Sequence, residues 1–517
     1  MILISFDISN STNFLTSSDV SSLFDTISGL KSSLFSMHLS GSQYFSVYDT
    51  AFLSLIHDNS GKPIFTNSLK FLFSSVNPDG SWGNPNILSD NILSTLASMH
   101  ALQQSHLYNT PIVQNILAKA EKFIFDNYNR IAQENFFTVG LEFLLPNLLL
   151  KTGVNLFDHP MTKKLETYQQ KKLSVLPLDY IQQIKSPMLF ALESLDSHCI
   201  TSNLDHFIEA NGSIATSPAT TAWYLNYNPK SDKIPEMIRY LSDLYNPQTG
   251  GVPSFADYSL MNIPFVLYPL FKARIPYPNY NTLLRYVYDH WTPTGVGHSS
   301  CFPMTDADDT ALSLLLLNKF YFIPDNSEKF DVLLRYKRQD YFITYPFEIG
   351  TSNMVNLHVL DMLLETNASK WNREFNIDQL VSFIAKQISP EYGIGGDKYH
   401  YSPYCQNCHA VLTLSKNYPS LSRKLVDWLF ANQDINGLWG ITGPTVEETA
   451  YAVLALCYYH IHAEKLDLTI LNNAIDYLVA DHGPYPNLWL SKVAYTPIET
   501  VKAHILAALE LYHQAVF

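Results

Sequence analysis

Most of the chain has the apolar periodicity of helices, and the strict alternation typical of strands is scarce. One arrangement recurs, in which a Gly- or Pro-rich turn and a small residue precede an apolar helix. It occurs in SVYDTAFLSLI (46–56), SDNILSTLASMHAL (89–102), SPATTAWYL (217–225), DDTALSLLLL (308–317), CHAVLTL (408–414) and EETAYAVLALC (447–457). The spacing is too irregular for a regular solenoid. These helical hairpins predict an all-α fold of α/α barrels, or toroids, whose inner helices line a central cavity.

Two sharper turns support the same architecture. NPDGSWG (77–83) and NQDINGLWG (432–440) each combine Gly for a tight backbone, Asp or Asn for a local side-chain cap, and Trp. We expect each Trp to pack its turn against the neighbouring helices.

Composition narrows the class of protein. The 517 residues are 46% hydrophobic and carry a net charge of -14, which argues against a nucleic-acid partner. Five cysteines and an N-terminus without a basic segment predict a reducing, cytoplasmic location. No window is long and apolar enough to span a membrane. The most apolar stretch, 137–150, is expected to form a buried helix pair or corner, with a peripheral membrane patch as the alternative.

The segment FPMTDADDTALSLLLL (302–317) places three carboxylates directly before an apolar helix. Thr305 is a suitable N-cap, and acids favour the first turn of a helix. The run that follows leaves little polar face, so Asp306, Asp308 and Asp309 start a buried helix and cannot all ionise. A carboxylic acid held neutral in an apolar site can donate its proton to a weak base, and an alkene is one.

DADDTA resembles the DxDDTA motif of class II terpene cyclases, whose middle aspartate protonates a double bond or epoxide. SVYDTAF, TVGLEFLLPNLL, NGSIATSPATTAWYL, GGVPS and NLWLSKVAYTP resemble further segments of diterpene cyclases, in the same order from residue 46 to residue 497. The chain thus resembles a bacterial two-domain class II diterpene cyclase, similar to copalyl diphosphate synthases.

The resemblance implies a βγ architecture with the active site at the domain interface. Residues 1–40 and 285–517 would form the β domain, and residues 41–284 an inserted γ domain. Asp308 would be the general acid, Asp306 and Asp309 would hold and tune it, and Asn356 in SNMVNLHVLDML would orient its proton.

The substrate implied is a linear prenyl diphosphate, most plausibly geranylgeranyl diphosphate, cyclised with its diphosphate retained. Lys172 and Lys492 are the residues expected to bind the diphosphate, together with Mg²⁺. Asp90 is the candidate metal ligand, although Asn84 stands where relatives commonly have an acid. A downstream class I terpene synthase would use the product, and the protein would be a monomer or a homodimer.

Two positions depart from plant relatives that make ent-copalyl diphosphate. Phe190 stands where those enzymes have His, and Ser254 where they have Asn. That pair cannot deprotonate the final cation here, so a bicyclic labdane-type diphosphate and a rearranged halimadienyl or clerodienyl diphosphate are both open.

Other interpretations remain at this stage. A squalene-hopene-type or meroterpenoid cyclase would share DxDDTA and the Gly-Trp turns. An α/α-toroid glycosidase would use paired carboxylates on separate loops, and a non-catalytic scaffold would not need buried acids. CQNCH (405–409) matches a haem-attachment pattern, but nothing in the sequence indicates the export that such attachment requires.

Overall fold

The computed structural model describes residues 17–134, 137–195, 200, 202–302, 304–348, 350–480 and 483–517. These residues form an almost wholly helical protein. Helices α1 to α10 are Ser17–Phe35, Val47–Leu53, Ser68–Ser74, Leu88–Gln103, Pro111–Asn127, Leu141–Thr152, Pro160–Val175, Leu178–Ile181, Pro218–Tyr227 and Ile234–Leu244. Helices α11 to α21 are Ser259–Lys272, Tyr280–Asp289, Ala307–Lys319, Asn353–Glu365, Ala368–Trp371, Ile377–Gln387, Pro403–Leu414, Pro419–Ala431, Val446–His462, Asn472–Ala480 and Ile498–Val516.

Strands contribute only three short antiparallel pairs among the described residues. β1 (Phe45–Ser46) pairs with β2 (Val252–Pro253), with Ser46 opposite Val252. The other pairs are β3 (Ile388–Ser389) with β4 (Gly393–Ile394), and β5 (Trp489–Leu490) with β6 (Ala494–Tyr495).

The helices surround two hydrophobic cores. The first core runs from Tyr48 to Val252 and adds Phe302 and Val493. The second core combines α1 with residues 255–512. Phe190 packs against both cores. The prediction of two helical barrels is confirmed as a fold class, whereas the domain limits 1–40 plus 285–517 and 41–284 stay a prediction.

Helices of two kinds alternate along the chain, as an α/α barrel requires. α4, α13, α14, α17 and α19 are buried along almost their whole length. α5, α10, α12, α16 and α18 bury one stripe and expose the other. The buried helices therefore form the inner layer.

The two Gly-Trp turns pack as expected. Trp82 and Trp439 are fully buried, and their indole N–H groups donate to the carbonyls of Leu72 at 2.7 Å and Leu429 at 2.8 Å. Each bond ties a turn to the end of the preceding outer helix.

The apolar stretch 137–150 is simpler than expected. It forms one helix, α6, which begins after Gly140 (φ +81°) and continues through Pro146. The expected helix pair or corner is wrong, because a proline removes a single N–H donor and α6 tolerates that loss inside the first core. Within the described residues, no helix is both long and apolar enough to cross a bilayer.

Candidate active site

A cavity of about 520 Å³ lies between the two cores and is large enough for a small-molecule ligand. The first core contributes Phe143, Leu176 and Phe190 to its wall, and the second contributes Phe265, Trp489 and Tyr495. Asp306, Asp308 and Asp309 line the same cavity. The three carboxyl groups therefore face a chamber that is mostly apolar and aromatic.

The three aspartates of the acidic turn differ in their burial and in their hydrogen bonds. Asp306 is the N-cap of α13, and its Oδ1 accepts the backbone N–H of Asp309 at 2.8 Å. Thr305 was the predicted cap, but its hydroxyl instead donates to Thr294 Oγ1 at 3.0 Å. Asp306 and Asp309 are buried, whereas the side chain of Asp308 keeps 14% of its surface exposed. Asp308 is thus the most exposed of the three carboxyl groups that line the cavity.

Burial keeps protons in this cluster. Desolvation raises the pKa of Asp306 to about 7 and raises the pKa of Asp309 well above its ordinary value, with the neighbouring carboxylates adding to the rise. Ionising one member makes the next ionisation harder, so the group holds at least one proton at neutral pH.

The hydrogen-bond partner of Asp308 is His358, not Asn356. His358 Nδ1 lies 2.6 Å from Asp308 Oδ1. Asn356 is fully buried, and its amide bonds to the backbone N–H and carbonyl of Phe342 and to the carbonyl of Ser352. Residues two apart on a helix point about 200° away from each other. α14 therefore directs His358 toward the acid and Asn356 away from it.

Three lysines line the cavity, one of which sequence reasoning missed. Lys172 is partly exposed and pairs with Glu142 at 2.5 Å. Lys492 is completely buried, where Nζ lies 2.7 Å from Glu193 and 2.6 Å from Ser217 Oγ.

The missed lysine is Lys398, which follows two glycines in the loop before α17 and pairs with Glu348. A lysine in a Gly-rich loop was the available signal. Lys172 retains solvent contact and can exchange its carboxylate partner for a diphosphate, whereas the Nζ atoms of Lys398 and Lys492 are buried beside Glu348 and Glu193.

The two positions that depart from plant relatives separate in space. Phe190 lines the large cavity, with Lys492 Nζ 4.8 Å from its ring centroid. Ser254 lines a neighbouring cavity of about 350 Å³ together with Asp90. Ser254 therefore does not meet Phe190 in the chamber that holds the acids.

His298 is a second residue that sequence reasoning missed. It lines the large cavity, its Nε2 lies 3.0 Å from Thr216 Oγ1, and its ring contacts Phe190 and Phe255. Burial lowers its pKa to about 4, so the imidazole is neutral at physiological pH. A neutral imidazole among aromatic rings can accept a proton.

Asp90 does not fit a metal ligand. Its Oδ2 accepts the N–H of Asn84 at 2.6 Å and its Oδ1 accepts the N–H of Ala494 at 2.9 Å, which joins the first core to the β5–β6 hairpin. Burial raises its pKa to about 7. Across the described ranges, no group of three or more His, Cys, Asp or Glu side chains could hold a metal ion.

The chain is similar in sequence to proteins named as a diterpene cyclase and a diphosphate synthase. A type B diterpene cyclase from Mycobacterium tuberculosis is 27% identical over 491 residues, which cover 90% of this chain and 95% of that protein. A (-)-kolavenyl diphosphate synthase from Tripterygium wilfordii is 27% identical over 339 residues, which cover 63% of this chain and 39% of that longer protein. No protein-family profile matches the chain.

The fold is that of a solved class II cyclase. The ent-copalyl diphosphate synthase from Streptomyces platensis superposes with a TM-score of 0.74 at 23% identity, covering 96% of this chain and 99% of that one. The chain is therefore similar in sequence to a diterpene cyclase and has the helical fold of this solved synthase. Its resemblance to the bacterial two-domain type is confirmed.

Proposed function

We propose that this protein is a class II diterpene cyclase that protonates geranylgeranyl diphosphate and closes two rings while the diphosphate is retained. One observation carries the proposal: Asp308 faces an apolar, aromatic cavity while His358 holds its other side at 2.6 Å. The relatives named as diterpene cyclase, kolavenyl diphosphate synthase and copalyl diphosphate synthase support it.

Each part of the reaction has a group to perform it. Asp308 donates a carboxyl proton to the terminal double bond, and the cation forms on the more substituted carbon. Asp306 and Asp309 keep the cluster protonated through burial. The faces of Trp489, Tyr495 and the neighbouring phenylalanines stabilise the moving cation without trapping it. The apolar lining of the chamber would limit water around the cation until the rings have closed.

The diphosphate would bind near Lys172 and Lys398, which line the same cavity from different cores. Mg²⁺ bound to the diphosphate would supply the remaining positive charge. Because the diphosphate survives the reaction, the product suits a second enzyme that ionises it, such as a class I terpene synthase.

The product would have either a labdane-type or a rearranged skeleton. Phe190 offers no base at the chamber wall, which favours hydride and methyl shifts before the final deprotonation. His298, a neutral imidazole beside Phe190, is the group we expect to remove the final proton.

The direct test is incubation with geranylgeranyl diphosphate and Mg²⁺, dephosphorylation, and gas chromatography with mass spectrometry. We expect a bicyclic diterpene alcohol, whose skeleton NMR assigns. Matched incubations with farnesyl diphosphate, squalene and an aryl glycoside separate the alternatives. Turnover of squalene alone, or of the glycoside alone, contradicts the proposal, and plain ent-copalol contradicts the rearranged skeleton.

A further inference from the structure

Behind Asp308, three buried histidines form a continuous hydrogen-bonded chain across the inner helices α14, α17 and α21. Asp308 Oδ1 lies 2.6 Å from His358 Nδ1, and His358 Nε2 lies 2.8 Å from His409 Nδ1. His409 Nε2 lies 3.2 Å from His504 Nε2, and His504 Nδ1 lies 2.8 Å from the carbonyl oxygen of Thr500. The chain therefore begins at the catalytic acid and ends at a backbone acceptor.

The carbonyl oxygen of Thr500 determines the tautomer of every neutral histidine in this hydrogen-bonded chain. A carbonyl oxygen can only accept, so His504 carries its proton on Nδ1 and offers a lone pair at Nε2. His409 must then donate from Nε2, which leaves its Nδ1 as an acceptor. His358 in turn must donate from Nε2. The nitrogen that faces Asp308, His358 Nδ1, is consequently a lone pair whenever His358 is neutral.

The surroundings keep the two distal rings neutral. Burial lowers the pKa of His504 to about 4 and lowers the pKa of His409 well below its ordinary value, with neighbouring cations adding to the effect. The titratable groups around these rings are Tyr268 and Lys272 on α11, Asp361 on α14, Cys405 and Cys408 on α17, Tyr451 on α19, and His400 before α17. The charge of Lys272 is compensated by Asp361, whose Oδ1 lies 2.7 Å from Lys272 Nζ.

We propose that His409 and His504 are positioning residues that allow His358 to donate a hydrogen bond to Asp308 only as an imidazolium. Without them, neutral His358 could adopt the other tautomer and donate its Nδ1–H to the acid. With them, Asp308 can present a proton on its second carboxyl oxygen only while a cation donates to Oδ1. Donation of that proton to the alkene carbon leaves a carboxylate facing an imidazolium. The final cation loses one proton to the terminal base, which passes it to solvent, and Asp308 regains one from solvent, so the cycle balances.

A cationic donor makes Asp308 a stronger acid than a neutral one does, because charge-assisted hydrogen bonds stabilise the carboxylate more. The active state then needs two protons on the Asp308–His358 pair. The effect on catalysis rests on the proposed cyclase function, but the arrangement of protons in the chain does not depend on any substrate.

Substitutions of His504 test the chain. His504→Leu removes the acceptor for His409, whereas His504→Gln can still accept through its amide oxygen. We expect His504→Leu to lower kcat on geranylgeranyl diphosphate about ten-fold. We also expect the alkaline limb of its kcat–pH profile to move up by about one pH unit, because neutral His358 can now donate a hydrogen bond to Asp308. His504→Gln should keep the wild-type limb.

The control is Cys408→Ala, which removes buried volume beside His409 without touching the chain. Its pH limb should match that of wild type. A lowered kcat with an unmoved limb in His504→Leu would overturn the proposal and leave the histidines a purely structural role.

Imidazole ¹⁵N NMR of the full-length, substrate-free protein tests the tautomers directly. Signals assigned by single-histidine substitution should show Nδ1–H for His504 and Nε2–H for His409, with His409 becoming a tautomer mixture in His504→Leu. Mixed tautomers in the wild-type protein would overturn the chain. If wild type does not turn over geranylgeranyl diphosphate, the proposed function fails while this spectrum still decides the chain.

Discussion

Two helix starts, one in each core, carry the same Asp-Thr-Ala sequence in the same setting. Residues 46–51 read SVYDTA and residues 306–311 read DADDTA. The first residue of each caps its helix by accepting an N–H from the residue three positions on. Both threonine hydroxyls accept a backbone N–H from a neighbouring segment: Thr50 from Val252 in β2, and Thr310 from Val296.

The two helix starts differ in how their carboxyl groups are compensated. In the first core, Tyr48 stands where the second core has Asp308, and its hydroxyl donates to Glu193 at 3.1 Å. Lys492 pairs with Glu193, and its charge opposes the rise that burial causes in the pKa of Asp49, which still reaches about 6. In the second core, bound protons and His358, rather than a lysine, compensate the buried carboxyl groups. We therefore expect the shared motif to supply a proton donor only in the second core, where no lysine neutralises the carboxyl groups.

Asparagine substitutions in the two helix starts should have opposite consequences. Asp308→Asn should reduce cyclisation at least about 10³-fold with the melting temperature nearly unchanged, because it removes the transferable proton. Asp49→Asn should lower the melting temperature and leave residual turnover per folded molecule. Product chromatography and thermal unfolding measure both. Appreciable turnover by Asp308→Asn would contradict the assignment of the acid.

Lys492 separates structural compensation from substrate binding. Lys492→Met leaves Glu193 buried without its cation and should cost about 3–5 kcal/mol of unfolding free energy. Adding Glu193→Gln should recover most of that loss. Denaturant unfolding measures both variants. If Lys492→Met instead unfolds like wild type but raises KM several-fold, the lysine binds the diphosphate.

The sequence predicted the barrels and the acidic triplet because repeated small-residue helix starts and three adjacent carboxyl groups are local patterns. It could not predict His358, since Asn356 lies two positions earlier on the same helix and only the rotation of α14 decides which side chain faces the acid. The role of His409 was not predicted, because His409 ends a CxxCH pattern that is typical of haem attachment. The ion pair of Lys492 could not be predicted, because its partner, Glu193, is 299 positions away in the sequence.

Phe190 and His298 are the cavity residues that we expect to control the final deprotonation. His298→Phe removes the neutral imidazole from the chamber and should shift the product mixture toward alcohols formed by water or toward other alkene isomers, at about 1–2 kcal/mol of selectivity. Phe190→His should favour early deprotonation and less rearrangement. Ratios from gas chromatography measure both. Unchanged ratios in His298→Phe would exclude His298 as the terminal base.

The prediction for Asp306 concerns stability rather than turnover. Its pKa is about 7 in the folded protein and 3.8 in the ordinary reference state, so the folded state binds more protons across that interval. The free energy of unfolding therefore falls as pH rises from about 4 to about 7. Asp306→Asn keeps an oxygen to cap α13 but removes this dependence. Its stability relative to wild type should be greater at pH 8 than at pH 5, by about 2 kcal/mol.

The matched control for that measurement is Asp58→Asn. Asp58 is exposed and its pKa lies below its ordinary value, so its carboxylate is ionised in both states across this range. Its substitution should change stability equally at pH 5 and pH 8. If Asp306→Asn behaves like Asp58→Asn, the second helix start does not hold its protons through burial, and the contrast with the lysine-compensated helix start of the first core is lost.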